Sequence, residues 1–417
     1  MRMTTPWLHV IGIGEEGVEG LPPALRTLIA GADLVVGGAR HLALAATVTT
    51  GRTLSWPHPF ADGIDRLLAH RGQAVCVLAS GDPFLFGVGS TLRRHVPMGE
   101  MRCYPAPSSV ALACNLLGWA EQDVNVLSLC GRPMEAVAPA LQPGARLVVL
   151  SADEETPVRF ARWLHERGFG PSTMHVLGAL GGVGQAHHTA TVADMAADTP
   201  RPPRLNLMAL DIVATRDALV IPLACGLPDD MFAHDGQITK REIRAATLSA
   251  LAPRRGEVLW DIGGGSGSIS IEWMLRHPAN RAVAIEKSAD RRARIAHNAL
   301  NLGVPALRIV AGEAPAILPT LAADGLPPPD AIFIGGGVSR PGMLDAAWRA
   351  LRPGGRLVAN AVTLESEAAV IAAHARRGGT LTRMQVERLE AIGRFHGFRP
   401  GMTVTSYAVT RTQDVPA

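Results

Sequence analysis

Residues 256–267 read Gly-Glu-Val-Leu-Trp-Asp-Ile-Gly-Gly-Gly-Ser-Gly. A short apolar run, Val258–Ile262, leads into a loop with no side chains at Gly263, Gly265 and Gly267. A helix is predicted over Ser268–Arg276. The next apolar run, Arg281–Glu286, ends on a carboxylate. Bare main chain lets a ligand rest on the backbone and on the amino end of the helix. The acid at the tip of the second strand is placed to accept hydrogen bonds from a ribose diol. This half of the chain therefore reads as a nucleoside-cofactor domain. The spacing narrows the choice. A dinucleotide loop needs G-x-G-x-x-G, and its sixth place, counted from Gly263, is Ser268. The pattern present is G-x-G-x-G, which disfavours a nicotinamide oxidoreductase.

The amino half carries three further segments in which glycine or proline stands where a strand should end. They are Gly12-Ile13-Gly14-Glu15-Glu16-Gly17, Ser80-Gly81-Asp82-Pro83-Phe84-Leu85-Phe86-Gly87-Val88-Gly89 and Pro105-Ala106-Pro107-Ser108-Ser109. In open α/β sheets ligands bind at such carboxyl ends.

The elements that must hold these segments follow from hydrophobic patterning. Strands are predicted in the amino half at Trp7–Ile13, Leu34–Val36, Ala74–Ala79, Met101–Tyr104, Asn125–Leu129, Arg146–Leu150, Thr173–Leu180 and Leu205–Ile212. Helices fall between most of them, which predicts a mainly parallel, layered α/β fold. Proline and glycine crowd together around 215–228, so the domain junction is placed near residue 220, dividing the chain into 1–220 and 221–417. The carboxyl half opens with a helix over Thr239–Leu251, for which Thr239 and Glu242 are read as a capping box. Strands follow at Arg308–Ala311, Ala331–Ile334 and Arg356–Ala359, with Pro353-Gly354-Gly355 stopping one helix and starting the last of them.

A chain of 417 residues is too long for one ordinary domain, and 47% hydrophobic against 18% charged residues lets each half bury a core. The net charge of +3 is spread without a basic block, and aromatic residues make up 4%. Both argue against nucleic acid as partner. The five scattered cysteines form no C-x-x-C pair and read as thiols of a reducing cytoplasm. No apolar run reaches the roughly 18 residues of a membrane span. His187-His188 has no partner at ligand spacing in the sequence and is read as part of a surface strand, so no metal site is expected.

The Gly263–Gly267 loop resembles that of class I S-adenosylmethionine methyltransferases. The Ser80–Gly89 stretch resembles the signature of the tetrapyrrole methylase family, over roughly residues 7–215; that family usually has a proline where Glu15 and Glu16 stand here. The two likenesses together imply a two-subdomain tetrapyrrole-methylase fold followed by a Rossmann-like, doubly wound class I sheet. They imply two S-adenosyl-L-methionine sites, one per domain, and a tetrapyrrole (precorrin) substrate. The pairing is similar to the fused, decarboxylating methyltransferases of cobalamin synthesis. That likeness implies methylation of two bridging carbons and loss of an acetate carboxylate. Carried over as cofactor contacts are Thr239, Gly263, Gly264, Gly265, Ser266, Gly267, Glu286, Gly312, Glu313 and Ala314 in one half, and Gly12, Gly14, Gly81, Asp82, Pro83, Ser108 and Ser109 in the other. Arg394, His396 and Arg399 are candidates for the substrate's carboxylates. Catalytic side chains are not identifiable. Both families lead to an expectation of a homo-oligomer. The competing reading is a methyltransferase acting on RNA or on a translation factor.

Overall fold

The computed structural model describes residues 6–198, 201–323 and 325–412. The chain forms two compact units. One comprises the residues up to Arg132 together with Gln142–Leu219; the other comprises Pro133–Leu141 and the residues from Val220 onward. The nine-residue segment Pro133–Leu141 thus leaves the first unit and returns to it. Its Val137, Ala138 and Leu141 are buried, and Gly303 of the second unit lies against its Pro139.

The first unit holds two five-stranded sheets. Strands β1 (Leu8–Ile13), β2 (Leu34–Gly37), β3 (Arg52–Ser55), β4 (Val75–Ser80) and β5 (Met101–Tyr104) form one, in the order β3-β2-β4-β1-β5, with every pair parallel. Its central strands β2, β4 and β1 are near-continuous apolar runs, as strands covered on both faces require. Val10, Val36 and Val77 pack on one face; Ile11, Val35 and Cys76 pack on the other. Strands β6 (Val124–Ser128), β7 (Arg146–Leu150), β8 (Thr173–Gly178), β9 (Ala186–Thr191) and β10 (Asn206–Asp211) form the second sheet, ordered β6-β7-β10-β8-β9. Only β6 and β7 are parallel there; β10 runs antiparallel to both β7 and β8, and β9 pairs antiparallel with β8. The mainly parallel arrangement expected from the sequence therefore describes the first sheet and not the second. Strand β8 passes into β9 through a short loop, Ala179–Gln185, with no helix, and such a connection forces antiparallel pairing.

The second unit is one seven-stranded, doubly wound sheet. Its strands are β11 (Val258–Ile262), β12 (Arg281–Glu286), β13 (Arg308–Ala311), β14 (Ala331–Ile334), β15 (Arg356–Ala361), β16 (Thr380–Met384) and β19 (Val404–Thr410), in the order β13-β12-β11-β14-β15-β19-β16. Six run in one direction, and β19 runs antiparallel to its two neighbours β15 and β16. Strands β17 (Glu387–Ile392) and β18 (Phe395–Pro400) form a separate exposed hairpin. The order reverses between β11 and β14, and a crevice at the carboxyl ends of those strands is where such a sheet binds ligands.

The helix Ser268–Leu275 after β11 is apolar on nearly all sides, and Ser268–Met274 are all buried. A helix of that kind belongs in an interior. Its one carboxylate, Glu272, is fully buried and paired with the fully buried Arg244 of the helix Arg241–Leu251. Glu272 also accepts the backbone N–H groups of Gly226 (2.7 Å) and Leu227 (3.0 Å). Arg244 donates to the carbonyls of Leu227 and Thr239 and to Asp229. A charge pair out of water is tolerated only when its remaining donors and acceptors are met. Here they are met by the chain segment that enters the unit.

Candidate functional site

A cavity of ≈ 740 Å³ opens in the second unit at the carboxyl ends of β11, β12, β14 and β15. Gly263, Gly264, Gly265 and Ser266 line it, as do Glu286, Thr239, Gly312, Glu313 and Ala314. The structure thus brings nine of the ten residues carried over for this half to one cavity. Gly267 is the exception: it caps the amino end of the following helix at φ 79°, packed against Ile295.

Gly265 has φ 58°, in the left-handed region that side chains other than those of Gly, Asn and Asp rarely adopt. Its N–H donates to Glu286 Oε2 at 3.0 Å, and Ser288 N–H donates to Glu286 Oε1 at 2.9 Å. Glu286, at 5% exposure, is therefore fixed on both oxygens by main chain, and each oxygen keeps a lone pair for a further donor. Ser266 Oγ is buried without a partner. A side-chain-free loop, an orphaned hydroxyl and an oriented carboxylate around one cavity fit the ribose and amino-acid ends of a nucleoside cofactor. When bound, S-adenosylmethionine supplies an electrophilic methyl group on a sulfonium.

Asp261 lines the same cavity and is wholly enclosed. Burial pushes its carboxyl up to about 6, although Ser270 N–H (3.2 Å) and Ser270 Oγ (2.7 Å) both donate to it; the Glu286 charge adds to the rise. Glu313 stands at the rim. Hydrogen bonds from Lys287 (3.1 Å) and Arg340 (2.6 Å), with their charges, hold its carboxyl below the usual range.

Thr239 is not the helix cap that the T-x-x-E pattern indicates. The N-cap is Lys240, with no side-chain cap bond, and Glu242 instead pairs with Arg388. The Thr239 carbonyl is held by Arg244, so the buried ion pair anchors the cavity wall. Of the three substrate candidates, Arg394 stacks on Phe395 at the hairpin turn and Arg399 pairs with Glu390 at 3.1 Å; His396 lies on exposed β18. The hairpin residue that lines the cavity is Arg388, on the opposite strand. The sequence reading does not reach it, because the last predicted element ends at Ala359. The alternation of charged and aliphatic residues in Arg388-Leu389-Glu390-Ala391 is the available signal of a strand there.

In the first unit, β4, β1 and β5 are neighbours, so the three flagged segments converge. Gly81 N–H donates to the Ile13 carbonyl (3.2 Å), and the Gly81 carbonyl accepts Ala106 N–H (3.2 Å). A side chain on Gly12 would overlap that carbonyl, so the glycine there serves close loop packing. Gly14 closes a turn, its carbonyl accepting Gly17 N–H at 3.2 Å. Asp82 Oδ1 accepts Phe84 N–H (2.7 Å), and the buried Pro83 gives its carbonyl to Gly89 N–H (2.8 Å). Ser108 is the N-cap of the next helix, accepting Ala111 N–H at 3.0 Å, and Ser109 is its first residue.

Beside these loops Arg40 bonds Glu15, and its Nη2 reaches both His41 Nε2 (2.7 Å) and Ser80 Oγ (2.8 Å). Glu15 thus has a charge partner where the family's proline has none. Burial first, and the Arg40 charge second, hold the His41 imidazole down to about 4. Sequence reading missed Arg40 and His41, which belong to no motif.

His187 and His188 lie on the exposed edge strand β9, with His175 Nδ1 3.3 Å from His187 Nε2 across the sheet. Among the described residues no three His, Cys, Asp or Glu side chains gather as a metal-binding set. Among them also, no helix is long and apolar enough to cross a membrane.

The family described as Tetrapyrrole (Corrin/Porphyrin) Methylases matches residues 7–196, and one described as Precorrin methyltransferase domain matches residues 230–411. A protein of Sinorhizobium sp, named precorrin-6Y C(5,15)-methyltransferase [decarboxylating], is 51% identical over 98% of this chain and 97% of its own. A protein of Mycobacterium tuberculosis with the same name is 41% identical over 96% of this chain and 99% of its own. A shorter relative from Salmonella typhimurium, named cobalt-precorrin-6B C(15)-methyltransferase (decarboxylating), is 30% identical over 45% of this chain and 97% of its own.

Proposed function

The chain belongs to the precorrin-6Y C(5,15)-methyltransferase (decarboxylating) family, and we propose that each of its units binds one S-adenosylmethionine and methylates one bridging carbon of the macrocycle. As a member of that family it is an S-adenosylmethionine-dependent C-methyltransferase of cobalamin biosynthesis acting on a precorrin. None of the relatives reported above is named for RNA or a translation factor.

The finer assignments are these. The second unit methylates C15 and removes the acetate carboxylate; the first methylates C5. The single observation that carries this is the cavity at the β11–β14 reversal, lined by the glycine loop and Glu286. The short relative supports it, since C15 methylation and decarboxylation share one name in a protein matching 45% of the chain. In the first unit the support is the junction of the Gly12–Gly14, Gly81–Pro83 and Pro105–Ser108 segments.

Methyl transfer to an electron-rich carbon asks for alignment and dryness more than for a strong base. Glu286 receives the ribose hydroxyls, the Gly263–Ser266 main chain lets the ligand approach, and Ser266 Oγ supplies a polar contact. In decarboxylation the C–C bond electrons pass into the conjugated macrocycle, carbon dioxide leaves, and the side-chain carbon takes a proton. The protein's share is to desolvate the departing carboxylate.

A cytoplasmic setting belongs to the same proposal, supported by five cysteines that are all free. Homo-oligomerisation is also carried from the family likeness, and sedimentation checks it. The test of the two-site reading is calorimetry of the full chain with S-adenosylhomocysteine. Two equivalents bound per chain are expected; one equivalent refutes it.

A further inference from the structure

Beyond the glycine loop, the cavity runs to a second wall that the cofactor assignment leaves unused. Arg388 lines that wall from β17, with a side chain 44% exposed. Directly opposite in register, on β18, stands Arg399. Residues paired in this way project from the same face, with Cβ atoms roughly 5 Å apart, and like charges so placed repel. Each guanidinium has an acid of its own, Glu242 for Arg388 and Glu390 for Arg399, on exposed sites where such pairs hold little energy. Two arginines facing one another beside a cavity are a receptor for planar anions.

A second observation lies deeper on the same wall. Asn360, at the end of β15, donates from Nδ2 to Thr247 Oγ at 2.8 Å. Thr247 Oγ donates its single proton to the Ile243 carbonyl, also at 2.8 Å. The amide orientation is therefore fixed, and Oδ1 is left as an acceptor. It is buried with no partner, and Asn360 lines the cavity. A buried acceptor without a donor is an exception that calls for a ligand. Near the mouth, Val362 and Met402 line the cavity while 48% and 74% exposed, giving an apolar surface between the polar groups.

We propose that this wall seats the macrocycle: Arg388 and Arg399 receive its peripheral carboxylates, Asn360 Oδ1 accepts a ring N–H, and the ring face lies over Val362 and Met402. The assignment rests on the reading of the second unit as the decarboxylating methyltransferase. It transfers the substrate contact from Arg394 and His396 to Arg388 and Asn360, and keeps Arg399.

The experiment uses the full chain and follows the macrocycle KM of carbon dioxide release, with S-adenosylhomocysteine affinity measured in parallel. Arg388→Gln and Arg399→Gln are each expected to raise that KM about tenfold, the effect of one charge-assisted hydrogen bond. Arg388→Lys should recover part of the loss, and Asn360→Ala should raise KM in the same direction. Affinity for S-adenosylhomocysteine should stay within about twofold throughout. Unmoved KM values in all four variants overturn the proposal. So does a fall in S-adenosylhomocysteine affinity that matches the rise in KM, because the wall would then serve the cofactor or the fold. Failure of the wild-type second unit to bind S-adenosylhomocysteine at all would instead overturn the underlying reading.

Discussion

Replacement of Gly265 separates folding from binding in the second unit. A Cβ built there meets nothing closer than the Gln237 carbonyl at 3.7 Å and the Gly263 carbonyl at 3.8 Å, both ordinary contacts. The obstacle in the free protein is conformational: at φ 58° an ordinary side chain costs about 1–2 kcal/mol, and a β-branched one more. Asn visits this region with little penalty. Gly265→Asn is therefore expected to fold with wild-type secondary structure, its unfolding midpoint lowered by a few degrees at most. Its side chain extends into the cavity that the loop lines, where the nucleoside is proposed to rest. Loss of affinity there should be at least a hundredfold, about 2.7 kcal/mol.

Two assays read this. In calorimetry with S-adenosylhomocysteine the stoichiometry should fall from two to one. In thermal unfolding, ligand at a hundred times Kd stabilises the state it binds by about 2.7 kcal/mol. That increment should vanish from the second unit and persist in the first. Gly265→Val should give the same binding result with a larger cost in stability. A Gly265→Asn chain that binds two equivalents with unchanged affinity would refute the loop assignment.

Two further outcomes follow from buried charge. Burial raises the folded pKa of Asp261 to about 6 from the 3.8 of a free aspartate, so the folded protein binds its proton more tightly than the unfolded chain. Its stabilising contribution is complete below pH 3.8 and disappears as pH rises through about 6, an effect of up to about 3 kcal/mol. Asp261→Asn should remove that slope; urea unfolding of both proteins at pH 5 and pH 8 should show the variant gaining on the wild type at the higher pH, and parallel curves would contradict the assignment. Glu272→Gln leaves the fully buried Arg244 with only the half-buried Asp229 as a carboxylate partner and should cost about 3 kcal/mol, measured as a lower denaturation midpoint; a cost under about 1 kcal/mol would show that the pair is not the anchor described.

The sequence exposed the doubly wound unit well because its motif and its periodicity agree. The buried parallel strands are short apolar runs bounded by Gly, Pro or charged residues, and Arg281–Glu286, Arg308–Ala311 and Ala331–Ile334 were placed at their observed limits. What it concealed lacked apolar contrast. Strand β3 (Arg-Thr-Leu-Ser) and the exposed hairpin are polar, and their pairing is decided by neighbours and not by burial; of the polar edge β9 only the His187-His188 pair is read as strand from the sequence. The same holds for the site. Backbone-borne contacts follow from glycine spacing. Arg388 and Asn360 reach the cavity only through tertiary register; the alternation around Arg388 indicates a strand but not a site. The misread cap at Thr239 has a similar cause: the T-x-x-E pattern was present, yet Arg244 claimed the Thr239 carbonyl and Arg388 claimed Glu242.

Because Pro133–Leu141 packs with the later residues, the polypeptide crosses between its two units three times, at 132/133, 141/142 and 219/220. A single cut at the last crossing would not yield two self-sufficient pieces. The carboxyl-terminal product would lack the segment Pro133–Leu141 that lies against Gly303, and the amino-terminal product would carry that segment away from the unit it packs with. Excision or circular permutation of this protein thus has to bring the borrowed stitch along, and a protease that nicks the 220s should leave the halves clinging together until denaturant is added.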